Sequence, residues 1–169
     1  MLKYPPGTFQ LVSETPVNAA ASTLTTALTG ANNDLVFTAK TKGVAGDSIT
    51  VKYTDPGADG TIAVAVVGTD IEVTLAYGTG AITSTAANVK TAIDGSAAAS
   101  ALVSVANAAA NDGTGLVTAL TKTPLAGGVD GTEADAGEMY YDASYLYFTV
   151  AANGPTDANW RRVTLGSVY

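Results

Sequence analysis

Chemistry in this chain would have to come from Ser–Lys pairs, from Tyr or from carboxylates. Two acidic, glycine-rich stretches offer them: "DPGADG" with Asp55 and Asp59, and "DGTEADAGE" with Asp130, Glu133, Asp135 and Glu138. Such groups could ligate a hard cation, or act as an acid and base pair set roughly 5–10 Å apart across a cleft. Neither stretch has the D-x-[DN]-x-[DN]-G spacing of a calcium loop, so both read as solvated turns. The chain has no Cys and no His, which removes thiolate nucleophiles, imidazole bases and the usual zinc ligands together. "GTGA" (78–81) and "GTG" (113–115) look like phosphate loops, but neither is followed by Lys-Ser/Thr or opens a GxGxxG helix. Ser–Lys chemistry has no recognisable motif either. The expectation is a protein that is not an enzyme, with no metal and no cofactor.

The sharper candidate is a surface. "EMYYDASYLYFTVAANGPTDANWRRVTL" (138–165) is dense in rings, and the last 41 residues hold seven of the chain's twelve aromatics. Three short strands are expected here, over 138–142, 145–152 and 160–165. Period-2 alternation sorts their side chains onto two faces. Leu146, Phe148, Val150, Val163 and Leu165 form an aliphatic face, expected to hold the unit together. Tyr145, Tyr147, Trp160 and Arg162 point the other way. Trp, Tyr and Arg are the types most enriched at interface hot spots, so this face, with Tyr140 and the N-terminal Tyr4 and Phe9, is the expected interface. Packing against the first domain, and stacking on sugar rings, are the other two readings of the same face.

These residues need a scaffold, and the rest of the chain supplies a different composition. It is rich in Ala, Thr, Gly and Val, and the net charge is −7. With eight basic residues it is a poor phosphate binder, so no nucleic-acid partner is expected. No apolar run approaches the roughly 20 residues that cross a bilayer, so no membrane partner is expected. The start, "MLKYPPGTFQ", has two prolines where a signal peptide needs an apolar stretch.

Residues 1–32 read as an irregular arm lying along the fold or a neighbour. Residues 33–128 read as an α+β body, 129–137 as an acidic glycine-rich linker, and 138–169 as a small all-β module. In the body, "DLVFTAK" (34–40), "DSITVKYTD" (47–55), "TIAVAVV" (61–67) and "TDIEVTLA" (69–76) read as an antiparallel meander. "TSTAANVKTAIDG" (83–95) reads as a helix capped by Ser84 or Thr85 and closed by Gly95. "LVSVANA" (102–108) and "LVTALTKT" (116–123) follow as strands. The fold class is α+β, mostly β, with antiparallel strands, one or two helices and a C-terminal all-β module.

Two stretches carry a resemblance. "NDLVFTAKTKGVAGDSITVKYTDPG", with "STAANVKTAI" and "LAGG", resembles a small α+β module of tailed-phage structural proteins. "GEMYYDASYLYFTV…NWRRVTL" is similar to a β-module near the ends of phage head, neck and fibre proteins. Among small virion proteins, capsid decoration (cement) proteins are the best fit. The resemblance implies a non-enzymatic bacteriophage structural protein, made in the host cytoplasm without a signal peptide and located in the virion. Its partner would be the major capsid protein lattice or another virion protein. It would be a homo-oligomer, a trimer being the first expectation. The alternative is a tail or fibre component, or a glycan-binding adhesin module using the aromatic face on carbohydrate.

Overall fold

The computed structural model describes residues 11–166. In chain order the strands and helices are β1 (Leu11–Ser13), β2 (Thr23–Thr25), β3 (Leu35–Ala39), β4 (Thr50–Thr54), β5 (Ala63–Val67), β6 (Asp70–Thr74), β7 (Tyr77–Gly78), β8 (Ala81–Ile82), α1 (Ala86–Gly95), α2 (Ala97–Leu102), β9 (Val103–Asn107), β10 (Leu120–Pro124), β11 (Met139–Tyr141), β12 (Tyr145–Thr149) and β13 (Trp160–Thr164). A 3-10 turn, Val44–Ser48, precedes β4. The protein is α+β and mostly β, with two helices, mainly antiparallel sheets and a separate C-terminal sheet.

The chain divides into two compact units. One is Ala21–Val129; the other joins the residues up to Ala20 with those from Asp130 onward. The division falls elsewhere than glycine content suggests. Residues 21–32 belong to the body, where β2 pairs with β3. The stretch 129–137 is no free linker: Ala134 is buried and exchanges backbone hydrogen bonds with Asn153. A Cβ on Gly131 would lie 2.9 Å from the Asp157 carbonyl oxygen and 3.0 Å from that of Gly154. Glycine is needed there for close backbone approach, not for freedom.

In the body, alternation places Leu35, Phe37 and Ala39 of β3, Val51 and Tyr53 of β4, Ile71 and Val73 of β6, and Val103 and Val105 of β9 in one core. Thr85 caps α1 through a reciprocal pair of bonds with Asn88, while Ser84 is buried and accepts from the Ala76 N–H. Ala86, Val89 and Ile93 of α1 reach the same core. α2 continues after Ser96, which caps it.

The expected meander is not the topology. β3 pairs with β2 and β9, in a different sheet from β4. The second sheet has the order β10-β4-β6-β5, with β4 and β6 parallel. β5 folds back on β6 across the Gly68 turn and takes the edge. Burial follows this order: Val51, Tyr53, Ile71 and Val73 of the central strands are fully buried, while Val64 and Val66 of the edge strand β5 pack against the same core and stay half-buried.

In the second unit, β11, β12 and β13 form the expected antiparallel sheet, and β1 adds to β11 in parallel. The described part of the N-terminal arm therefore docks on its own chain.

Candidate functional site

The β11–β12 turn is built on one carboxylate. Asp142 Oδ1 accepts from the backbone N–H groups of Ser144 (2.7 Å) and Tyr145 (2.8 Å). Its Oδ2 accepts from the Tyr147 hydroxyl (2.7 Å) and the Thr15 hydroxyl (3.1 Å). Donors on the ionised form favour it, and the Tyr147 hydroxyl leads in holding this carboxyl down from 3.8 to about 2. The same contact pushes the Tyr147 phenol up.

Register then fixes which rings meet. Tyr140, Tyr147 and Arg162 lie opposite one another across three strands, as do Thr149 and Trp160 across two. The Tyr140 and Trp160 rings meet edge to face, with centroids 4.7 Å apart and planes at 82°. Trp160 Nε1 donates to the Thr132 carbonyl at 2.9 Å, and its backbone N–H donates to Asn18 Oδ1 at 3.1 Å. The Arg162 guanidinium sits 4.3 Å above the Tyr145 ring, a cation–π geometry.

This arrangement corrects the expected assignment of faces. Trp160 is 3% exposed and Tyr147 6%, and with Ala134, Tyr140 and Tyr145 they form the core of this unit. Val150, Val163 and Leu165, expected inside, are 60%, 54% and 44% exposed. Leu146 and Phe148 are half-buried. Of the expected interface residues, Tyr147 and Trp160 are therefore interior, Tyr140 and Tyr145 are half-buried against them, and Arg162 is exposed. Tyr4 and Phe9 lie outside the described residues. The reason is area and pairing. A Trp or Tyr buries 150–250 Å², more than an aliphatic side chain, and its polar tip accepts burial when bonded.

Several structuring residues carried weaker signals. Asn153 is buried, donating to the Thr132 carbonyl (2.6 Å) and accepting from the Asn159 N–H (2.8 Å). Thr149 donates its hydroxyl to the Asp135 carbonyl at 2.6 Å. Asp142 had a legible signature, an Asx turn in "YDASY"; the partners of Asn153 and Thr149 are tertiary.

A recess of about 370 Å³ opens beside β13, lined by Trp160, Arg161, Arg162 and Tyr147 together with Thr15, Pro16 and Asn18. Arg161 donates to the carbonyls of Ala158 and Trp160. Among the described residues neither arginine forms an ion pair; the pairs present are Lys52–Glu72, Lys90–Asp94 and Lys122–Asp70, all in the body. In the acidic stretches, the Asp55 carboxylate accepts from the Gly57 N–H, and that of Glu138 from the Asp135 N–H. Among the described residues no three His, Cys, Asp or Glu side chains gather as a metal site. No protein-family model matches the chain, and neither curated proteins nor solved structures give a match.

Proposed function

We propose that the protein is a non-enzymatic structural component of a tailed-phage virion, decorating and stabilising the capsid through protein–protein contacts. The observation behind this reading is the outward aliphatic face of the C-terminal sheet. Register sets Tyr141, Leu146 and Val163 in one row, and Tyr141, Val150, Val163 and Leu165 are all exposed. Scattered exposed aliphatics need no explanation, but Tyr141, Val163 and Leu165 are neighbours on one face beside half-buried Leu146, and such a cluster marks a contact surface. A protein that binds only the assembled lattice stabilises it by mass action. Self-association around a symmetry axis belongs to the same reading. Sugar stacking has less support, since the Trp160 ring is enclosed and its indole N–H is occupied.

The test uses heads purified with and without the protein, and with the V163D variant. The native protein should co-purify with heads and raise the temperature at which they rupture. V163D places a charge on an exposed position, so it should fold but fail to bind. Heads that rupture at the same temperature with and without the protein overturn the proposal.

A further inference from the structure

The outer edge of β13, which pairs with no other strand among the described residues, has the properties of a strand acceptor. Leu165 donates its N–H to the Ser144 carbonyl, and Val150 donates to the Asn159 carbonyl. With the register of β12 on β13, this makes Arg161 and Val163 the residues bonded to β12. The backbone N–H and C=O of Arg162 and Thr164 therefore point away from β12, since bonded and non-bonded pairs alternate along an antiparallel ladder. β13 ends the sheet order, so these four groups have no strand partner among the described residues. The equivalent outward N–H of Trp160 is already capped by the Asn18 side chain, which leaves the open stretch beginning at Arg162.

Charge and shape select the occupant. Arg161 and Arg162 are the only cations between Asp130 and Tyr169, in a segment carrying six carboxylates. Both line the recess beside β13 but on opposite faces of the strand, Arg162 with Tyr147 and Arg161 with Val163 and Leu165. Neither is paired with a carboxylate among the described residues. Arg162 is therefore the cation that selects the partner's acidic face. A second copy of β13 fits poorly. The fully overlapped antiparallel register sets Arg162 opposite Arg162 of the copy, and like charges directly opposite destabilise a pair. Arginine on an open edge discourages self-pairing while offering two donors in a fork to a carboxylate.

We propose that this edge receives an extended segment of a partner protein in which acidic and apolar residues alternate, added to the sheet as a further strand beside β13. Its main chain bonds the N–H and C=O groups of Arg162 and Thr164. Its acidic side chains lie on the Arg162 face, and its apolar ones continue the outer face of Val163 and Leu165. This is strand addition, in which the main chain supplies affinity and alternate side chains supply choice. The inference rests on reading this sheet as a protein-contact surface and names the partner's chemistry; it does not depend on the virion setting.

The probe is a capped, fluorescein-labelled hexapeptide alternating valine and glutamate, titrated into the full chain by fluorescence anisotropy. Saturable binding is expected, weakened roughly tenfold or more in R162Q and partly restored in R162K. T164P removes an outward N–H without touching the β12 ladder, a place where an edge strand tolerates proline, and should also abolish binding. Trp160 fluorescence unchanged in each variant shows that the unit is folded. A peptide N-methylated at alternate amides, or with lysine for glutamate, should not bind. Absence of saturation up to millimolar peptide, equal binding by the N-methylated or lysine peptide, or binding of a uronic-acid oligosaccharide in place of the peptide overturns the inference. Loss of head binding in V163D alongside a peptide that does not bind leaves the contact face standing and removes strand addition alone.

Discussion

The two units solve the problem of a core with different materials. The body buries Leu35, Phe37, Val51, Ile71, Val73, Leu75, Val89, Ile93 and Val103 in an interior that is largely aliphatic. The C-terminal unit buries Tyr147, Trp160 and Ala134, with Thr149 and Asn153 as buried polar partners. In the second unit the buried polar tips are bonded: Trp160 to the Thr132 carbonyl, Tyr147 to Asp142, Thr149 to the Asp135 carbonyl. A small unit exposes much of its surface, so large rings with satisfied polar ends are an efficient filling. The cost is that aliphatic side chains are left outside, and that surplus is where the proposed contacts lie.

The largest test of this contrast removes one ring from each interior. Phe37→Ala and Trp160→Ala should each cost about 3–5 kcal/mol, but in different places. Amide hydrogen exchange should quicken across β3 and β9 in the first variant, and across β11 to β13 in the second. W160A with normal protection in the C-terminal strands would show that the ring is no core residue, and the assignment of faces would revert.

That assignment was the part of the site least legible in the sequence. Alternation locates two faces but is symmetric between them; a strand reads the same whichever face is buried. In β3, β4 and β6 the ambiguity disappears because the opposite face carries polar residues such as Thr38, Lys52 and Glu72. In β12 both faces are apolar enough to be core, and aliphatic content pointed the wrong way. The α1 helix and its boundaries were readable because cap chemistry is local. The parallel pairing of β4 with β6 was not, because strand order depends on which strands best fill the centre. Glycine misled in the same way at Gly131, where closeness of the Asp157 and Gly154 carbonyls, unknowable from spacing, is what requires it.

A second contrast is electrostatic. Asp142 is the hub of the C-terminal turn, and its carboxyl titrates in the folded protein near 2, below the ordinary 3.8. A depressed folded value contributes stability that is fully present above about pH 4 and lost as pH falls toward 2. The body also holds carboxyls pulled down, Asp70 chiefly by Lys122 and Glu72 chiefly by Lys52, so a whole-chain acid curve mixes both units. Trp160 is the only tryptophan and reports the C-terminal unit alone. Its fluorescence transition in denaturant should move to lower denaturant between pH 4 and 2. In Asp142→Asn the transition should start lower at neutral pH, and its acid shift should shrink. An acid shift of full size in D142N would mean that another group sets the pH dependence of this unit.

The smallest effect concerns the one buried phenol that the body leaves unmet. Tyr53 is 1% exposed, its ring 6.5 Å from that of Phe37, and its hydroxyl has no hydrogen-bond partner among the described residues. Burial, helped by the nearby Asp34 charge, pushes its ionisation far up, so it is a neutral donor in an apolar setting. An unsatisfied buried polar group is costly, and replacing it by an apolar one of the same shape is close to neutral or stabilising. Tyr53→Phe should therefore leave stability unchanged or raise it by up to about 1 kcal/mol, measured by denaturant unfolding. Tyr147→Phe removes a made bond to Asp142 and should lower the stability of its unit. If both changes destabilise alike, the body's interior relies on a bonded phenol as the C-terminal interior does, and the division between an aliphatic core and a hydrogen-bonded aromatic one fails at that residue.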